Sequence, residues 1–230
     1  MIRLDKYLSD NAGLTRKTAK QALHRGEVTV DGVVVKKGDL KIAQQCVVLA
    51  GERIAPVGQL YIMLNKPSGY VCSTVDDDGS SVLKLINEPW RDQLHIAGRL
   101  DKDTTGLVLL TNDGKWSHQI TSPNSKCNKT YEVTLERPLS QELIEVFSTG
   151  IMLNSENKPT KPAQLTIINE HRAELVISEG KYHQVKRMFA AVGNHVTALH
   201  RSRVGHVKLD GSLQQGDWVR LTEQQYSLFF

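Results

Sequence analysis

The chain has 230 residues, 40% of them hydrophobic and 23% charged, with a formal net charge of +4, proportions that exclude a disordered or fibrous protein. No apolar run approaches the ~20 residues that cross a bilayer, and the polar start MIRLDKYLSDN lacks the apolar core of a signal peptide. A cytoplasmic protein without membrane attachment is expected, long enough for a small domain joined to a medium one.

Leu4, Tyr7 and Leu8 recur at helical spacing and the run closes at Gly13. Thr15 is placed to cap a second helix with the apolar stripe Ala19, Ala22 and Leu23, while Arg16, Lys17, Lys20 and His24 fall on the other side. Gly26 ends it, and Val28 to Val30, Asp31-Gly32 and Val33 to Val35 predict two strands around a tight hairpin turn. Residues 1–57 hold 10 Lys and Arg against 6 Asp and Glu, leaving 19 against 19 for residues 58–230, so the whole positive excess is N-terminal. That asymmetry fits either a polyanionic partner or solvated surface charge. The pattern RLDKYL followed by GLTRKTAKQALHRGEVTVDGVVV resembles the S-four-type RNA-binding domain. The resemblance implies RNA as the partner, with Arg16, Lys17, Lys20 and Lys36 contacting it. Ile54 to Leu60, with Pro56 and Gly58, reads as a linker, which divides the chain into domains 1–57 and 58–230.

The larger domain opens with strand-like Tyr61 to Leu64, stopped by Asn65-Lys66-Pro67. Further strands are predicted at Gly106 to Leu110, Tyr131 to Leu135, Ala163 to Ile168, Ala173 to Ile177 and Val204 to Leu209. Helices are predicted at Gln141 to Thr149 and His183 to Val192. An α+β domain with a mixed, largely antiparallel sheet and flanking helices fits this order. Cys46, Cys72 and Cys127 are far apart and form no C-x-x-C pair, so they read as reduced, buried thiols. The eight histidines show no metal-ligand spacing, and Asp76, Asp77 and Asp78 lack the alternation of a calcium loop and read as a solvated turn. No metal is expected. Between Gly180 and Leu209 a second basic stretch, Lys181, Lys186, Arg187, Arg201, Arg203 and Lys208, contains no acidic residue.

The densest block of small and polar residues is His95 to Leu107, which leads into an apolar strand. By chemistry alone it is either an Asp-rich turn or a functional loop. GRLDKDTTGLVLLTNDG, however, resembles the signature G-R-L-D-x-D-[ST]-x-G-L of the pseudouridine synthases. Lys129-Thr130-Tyr131 with Val133 is similar to that family's K-x-Y-x-V motif, Glu179 to Met188 to its E-G-[KR]-x-x-Q-[VI]-[KR]-R-M motif, and Lys66-Pro67-Ser68-Gly69 to its K-P-x-G segment. Trp116 to Pro123 and Lys181 to Val196 most resemble the small-subunit branch, the RsuA family, which implies uridine 516 of 16S ribosomal RNA as substrate. The partner is then 16S RNA or a 30S assembly particle, bound by a monomer.

The family reaction cleaves the bond between ribose and the uracil nitrogen, turns the base and rejoins it through carbon, with no redox change, so no cofactor is expected. The resemblance makes Asp101 the nucleophile, ionised and ion-paired to a basic residue of the HQVKR segment, Lys186 first and Arg187 second. It implies that Tyr131 stacks on the uracil and that Arg99 fills the gap left by the flipped nucleotide. Lys181, Arg201 and Arg203 are expected to hold RNA phosphates, or in the last two cases the active-site loop. The rivals are a synthase acting on large-subunit RNA, a noncatalytic RNA-binding assembly factor, and a glycosidase, which needs a second paired carboxylate.

Overall fold

The structure, a computed structural model, describes residues 1–74, 79–122, 125 and 127–229. Asp76, Asp77, Asp78 and Pro123 lie outside the described residues. The chain divides into two compact units, Met1–Leu60 with Ile86–Leu94, and Tyr61–Leu85 with His95–Phe230. The segment Ile86–Leu94 therefore belongs with the N-terminal unit, where Gln93 donates to the Asp10 carbonyl. A single cut at residue 57 does not contain that return.

In the first unit β1 (Ile2–Arg3) leads into α1 (Leu4–Asn11), followed by α2 (Arg16–His24), β2 (Val28–Val30), β3 (Val33–Val34), β4 (Lys41–Ile42), β5 (Val47–Leu49) and β6 (Glu52–Ile54). Thr15 caps α2 by accepting from the Thr18 amide at 3.1 Å, which satisfies one of the first turn's orphan donors. Ala19, Ala22 and Leu23 point inward against Leu4, Leu8, Val28 and Val47, which together form a small separate core. Asp31 and Gly32 both have positive φ, 49° and 81°, the type I′ geometry that matches the twist of the β2–β3 hairpin. Asp5, buried in this unit, is neutralised by Arg3 at 2.8 Å and Arg16 at 3.3 Å.

The second unit contains β7 (Tyr61–Lys66), β8 (His95–Ala97), β9 (Thr105–Thr111), α3 (Gly114–Thr121), β10 (Lys129–Leu135), α4 (Glu142–Thr149), β11 (Gln164–Asn169), β12 (Arg172–Ile177), α5 (Gln184–Ala191), β13 (Val196–Val204), β14 (Val207–Lys208), β15 (Trp218–Arg220) and α6 (Glu223–Tyr226). Its sheet runs β11-β12-β10-β13-β9-β7-β15, with β8 on β9 and β14 on β13. Among the described residues β13 and β9 are the one parallel pair of named strands, and the other pairs are antiparallel. The sheet is thus mixed and largely antiparallel, within an α+β fold. Two expectations change. The strand expected over Val204 to Leu209 is a hairpin that turns at Gly205-His206, and the long strand precedes it at Val196–Val204. Helix α3 was not anticipated; the Asp113 side chain caps it by accepting from the Lys115 and Trp116 amides.

The core of this unit is built on β9, whose Leu107 to Leu110 are fully buried; Leu107 and Leu109 pack with Tyr61, Met63, Trp116 and Ile120. Phe147 of α4 and Phe189 of α5, both fully buried with ring centroids 4.8 Å apart, lock the two helices together. Each such ring contributes about 2–3 kcal/mol by leaving water. The cysteines divide: Cys72 and Cys127 are buried thiols, but Cys46 is only half-buried.

Strands β9 and β13 pair at only two positions, His200 with Thr105 and Arg201 with Gly106. There the backbones approach so closely that a Cβ on Gly106 would lie 2.4 Å from the Arg201 carbonyl oxygen, and φ at Gly106 is +103°. The glycine of the G-L-V-L-L run is therefore required by the sheet. Gly106→Ala should lower Tm by roughly 5–15 °C, the consequence of backbone strain and overpacking of a few kcal/mol, as thermal unfolding would read.

Candidate active site

Asp101 lies in the loop that joins β8 to β9. The carbonyl oxygens that this loop directs inward need donors. Two buried cations supply them. Arg201 on β13, 2% exposed, donates from Nη2 to the Gly98 carbonyl at 2.8 Å, from Nη1 to the Arg99 carbonyl at 3.2 Å and from Nε to the Leu107 carbonyl at 2.8 Å. Lys66 at the end of β7, fully buried, places its ammonium on the carbonyls of Pro67, Lys102 and Thr104 at 3.1, 3.0 and 2.7 Å. Burial pushes the Lys66 pKa below the ordinary lysine value, and the three acceptors use all three of its protons. The loop is gripped on both sides of Asp101.

The Asp101 carboxylate itself is a quarter exposed, 26%, and carries two basic neighbours from the start of α5. Lys186 Nζ is 3.2 Å from Oδ2, and His183 Nε2 is 3.6 Å from Oδ1. Lys186 also reaches Asp103 Oδ1 at 2.6 Å. Burial alone would lower the Lys186 pKa, but its bonds to Asp103 and Asp101 outweigh that and raise it above the lysine value of 10.5. Lys186 is therefore a permanent cation at neutral pH, and the stability it contributes is present below pH 10.5 and lost as pH rises through the raised value. The same bond holds the Asp103 carboxyl below its ordinary range.

Helix α5 decides which basic residue meets Asp101. Val185, Met188 and Phe189 are its buried stripe, which leaves Lys186 and Arg187 about 100° apart on the other side. Lys186 turns to Asp101. Arg187 turns away to Glu156 at 3.3 Å and to the carbonyls of Tyr182 and Asn154, so it is not the carboxylate's partner, contrary to the second expectation. Lys181 also binds Glu156, at 2.8 Å.

Tyr131 on β10 lies directly across from Arg201, hence on the same sheet face as the side chain that grips the loop, and is 8% exposed. A register shift between Thr130 and Tyr131 sets Arg203 across from Thr130, which puts it on the opposite face, where it lines an open groove with Glu132, Glu174 and Lys208. The expectation that Arg201 holds RNA phosphates is corrected: it is buried, and its three nitrogens donate to two carbonyls of the loop and one of β9, the other role considered for it. Arg99 is exposed, and its carbonyl is held by Arg201. In the first unit Lys17, Lys20 and Lys36 are exposed without an ion pair among the described residues, and Arg16 shares the buried Asp5. Among the described residues no group of three or more His, Cys, Asp or Glu is placed to hold a metal ion.

Residues 60–191 match the family described as RNA pseudouridylate synthase. The chain belongs to this family. It is 52% identical over 226 residues to the ribosomal small subunit pseudouridine synthase A of Yersinia pestis, covering 97% of this chain and 96% of that protein. The protein of that name from Escherichia coli (strain K12) is 50% identical over 226 residues, covering 97% and 98%. A crystal structure of a pseudouridylate synthase, 46% identical, aligns over the whole of both chains with a TM-score of 0.73. The protein is thus a pseudouridine synthase, an isomerase.

Three residues of this synthase's site had no assigned role in the sequence. Lys66 lies in the K-P-x-G segment, Asp103 is the second acid of the G-R-L-D-x-D signature, and His183 opens the predicted helix. The available signal was their place inside the family-like segments.

Two variants test the geometry. Lys186→Met should lower kcat about 100- to 1000-fold, the scale for removing one electrostatic contact at a reacting group, while Arg187→Met should act mainly on stability. Lys66→Met strands three carbonyls and should cost about 2–4 kcal/mol of stability with a fall in kcat, as unfolding and single-turnover assays would read.

Proposed function

We propose that this synthase converts one uridine of small-subunit ribosomal RNA to pseudouridine, uridine 516 of 16S RNA by its resemblance to the small-subunit branch. The substrate assignment is supported by relatives of about half-identical sequence over nearly the whole chain that carry the small-subunit name. The observation that carries the chemistry is the Asp101 carboxylate, paired to Lys186 at 3.2 Å in a loop held by two buried cations.

In this reading the target nucleotide leaves its stack, and Arg99, exposed at the loop, occupies the gap. Asp101 acts as an ionised carboxylate, and Lys186 balances its charge without competing for its role, because Lys186 keeps its proton at neutral pH. The bond from ribose to the uracil nitrogen breaks, the base turns, and a ring carbon takes the nitrogen's place. That carbon gives up a proton and the nitrogen gains one, so no external oxidant or reductant enters. Tyr131 lies flat against the uracil and keeps the detached base from escaping.

The N-terminal unit is an S-four-type RNA-binding domain whose Lys17, Lys20 and Lys36, with Arg16, supply sequence-independent attraction to phosphates. The protein works as a cytoplasmic monomer on 16S RNA or a 30S assembly particle. Carbodiimide modification with primer extension on 16S RNA, 23S RNA and 30S particles provides the test. Wild-type protein should produce one new stop, at uridine 516 of 16S RNA, and Asp101→Asn should produce none. A stop in 23S RNA would reassign the substrate, and a stop that survives Asp101→Asn would remove Asp101 from its role.

A further inference from the structure

Tyr182 is the most exposed aromatic side chain in the second unit's site, at 74%. Its ring is stacked on the His183 imidazole, with centroids 3.8 Å apart and planes 18° from parallel. That same imidazole meets Asp101 Oδ1 with Nε2 at 3.6 Å. One ring layer, the imidazole, therefore separates Tyr182 from the Asp101 carboxylate, and the outer face of Tyr182 is open.

The backbone that presents this pair is fixed while the ring is not covered. The Tyr182 carbonyl accepts from Arg187 Nη1 at 3.1 Å, and the Lys181 amide donates to Gln184 Oε1 at 2.8 Å. Gln184 in turn donates to Glu179 at 2.8 Å, and the Lys181 side chain is tied to Glu156 at 2.8 Å. His183 sits at φ 48°, ψ 35°, a left-handed conformation uncommon for a residue with a side chain, and its ring lies against that of Tyr182. A clamped turn with a strained residue and an exposed aromatic plane is unfavourable in water and gains if a second plane covers it.

We propose that Tyr182 is a stacking platform for an unpaired base next to the target uridine. The inference rests on the RNA reading above and adds a binding subsite to it. A base on the outer face of Tyr182 lies roughly 7 Å from the imidazole, about the reach of one neighbouring nucleotide, and aromatic planes accept any base in this way. Because the turn is fixed beforehand, little ordering entropy opposes the contact.

The test uses a 16S RNA fragment with 2-aminopurine placed immediately before or after the target uridine. Binding of wild-type or Tyr182→Phe protein should quench the probe at one of the two positions. Tyr182→Ala should lose that quench and raise KM roughly 5- to 100-fold, the range for removing one base stack, with kcat changed less than about twofold. Quenching and KM unchanged in Tyr182→Ala, with uridine still converted by wild-type protein, would sink the platform and leave the substrate reading intact. Quenching that depends on Tyr182 with no uridine converted by the wild type would do the reverse.

Discussion

The grip of two buried cations on the carbonyls of one loop is the constraint on which this molecule's site depends. Neither Lys66 nor Arg201 binds a carboxylate; each spends its donors on backbone oxygens of residues 98–107 or on Pro67. A buried cation is costly unless its protons are all accepted, and backbone carbonyls that face inward are costly unless donors meet them. Each requirement answers the other. The result is a loop that cannot move without exposing an unsatisfied charge, which is what a carboxylate needs if it is to meet a reacting atom at fixed distance.

The sheet provides the position for that grip. Strands β9 and β13 touch at two residues only, and the contact places Arg201 beside the root of the loop and across from Tyr131. A glycine at position 106 permits the approach. The next residues of β13 show how a small irregularity redirects chemistry. One register shift turns Arg203 to the other face, so two arginines two positions apart serve unrelated surroundings.

Charge in the C-terminal basic stretch is balanced from far along the chain. Glu156 takes Lys181 and Arg187, and Asp101 with Asp103 takes Lys186, although no acid lies between Gly180 and Leu209. What reads as a basic surface patch is largely the half-buried, ion-paired framework of the candidate site, with Arg203 and Lys208 left exposed. The N-terminal unit is different. Its surface lysines Lys17, Lys20 and Lys36 remain unpaired among the described residues, and there the local excess of charge persists on the surface.

The sequence by itself determined those features whose cause is local. Thr15 as a cap, the Asp31-Gly32 turn, the apolar run of β9 and the alternation in β10 and β12 each follow from propensities within a few residues, and the motif blocks pointed to the family. Tertiary structure alone decided that Ile86–Leu94 returns to the first unit, that VTALHRSRV is a long central strand despite its polar residues, and that Arg201 is buried. It also chose Lys186 over Arg187, since two adjacent cations on a helix differ only in direction and the acids that claim them arrive from residues 101 and 156. The physical reason is range: secondary structure is fixed by neighbours in the chain, whereas the partner of a buried charge is fixed by whatever the fold brings beside it.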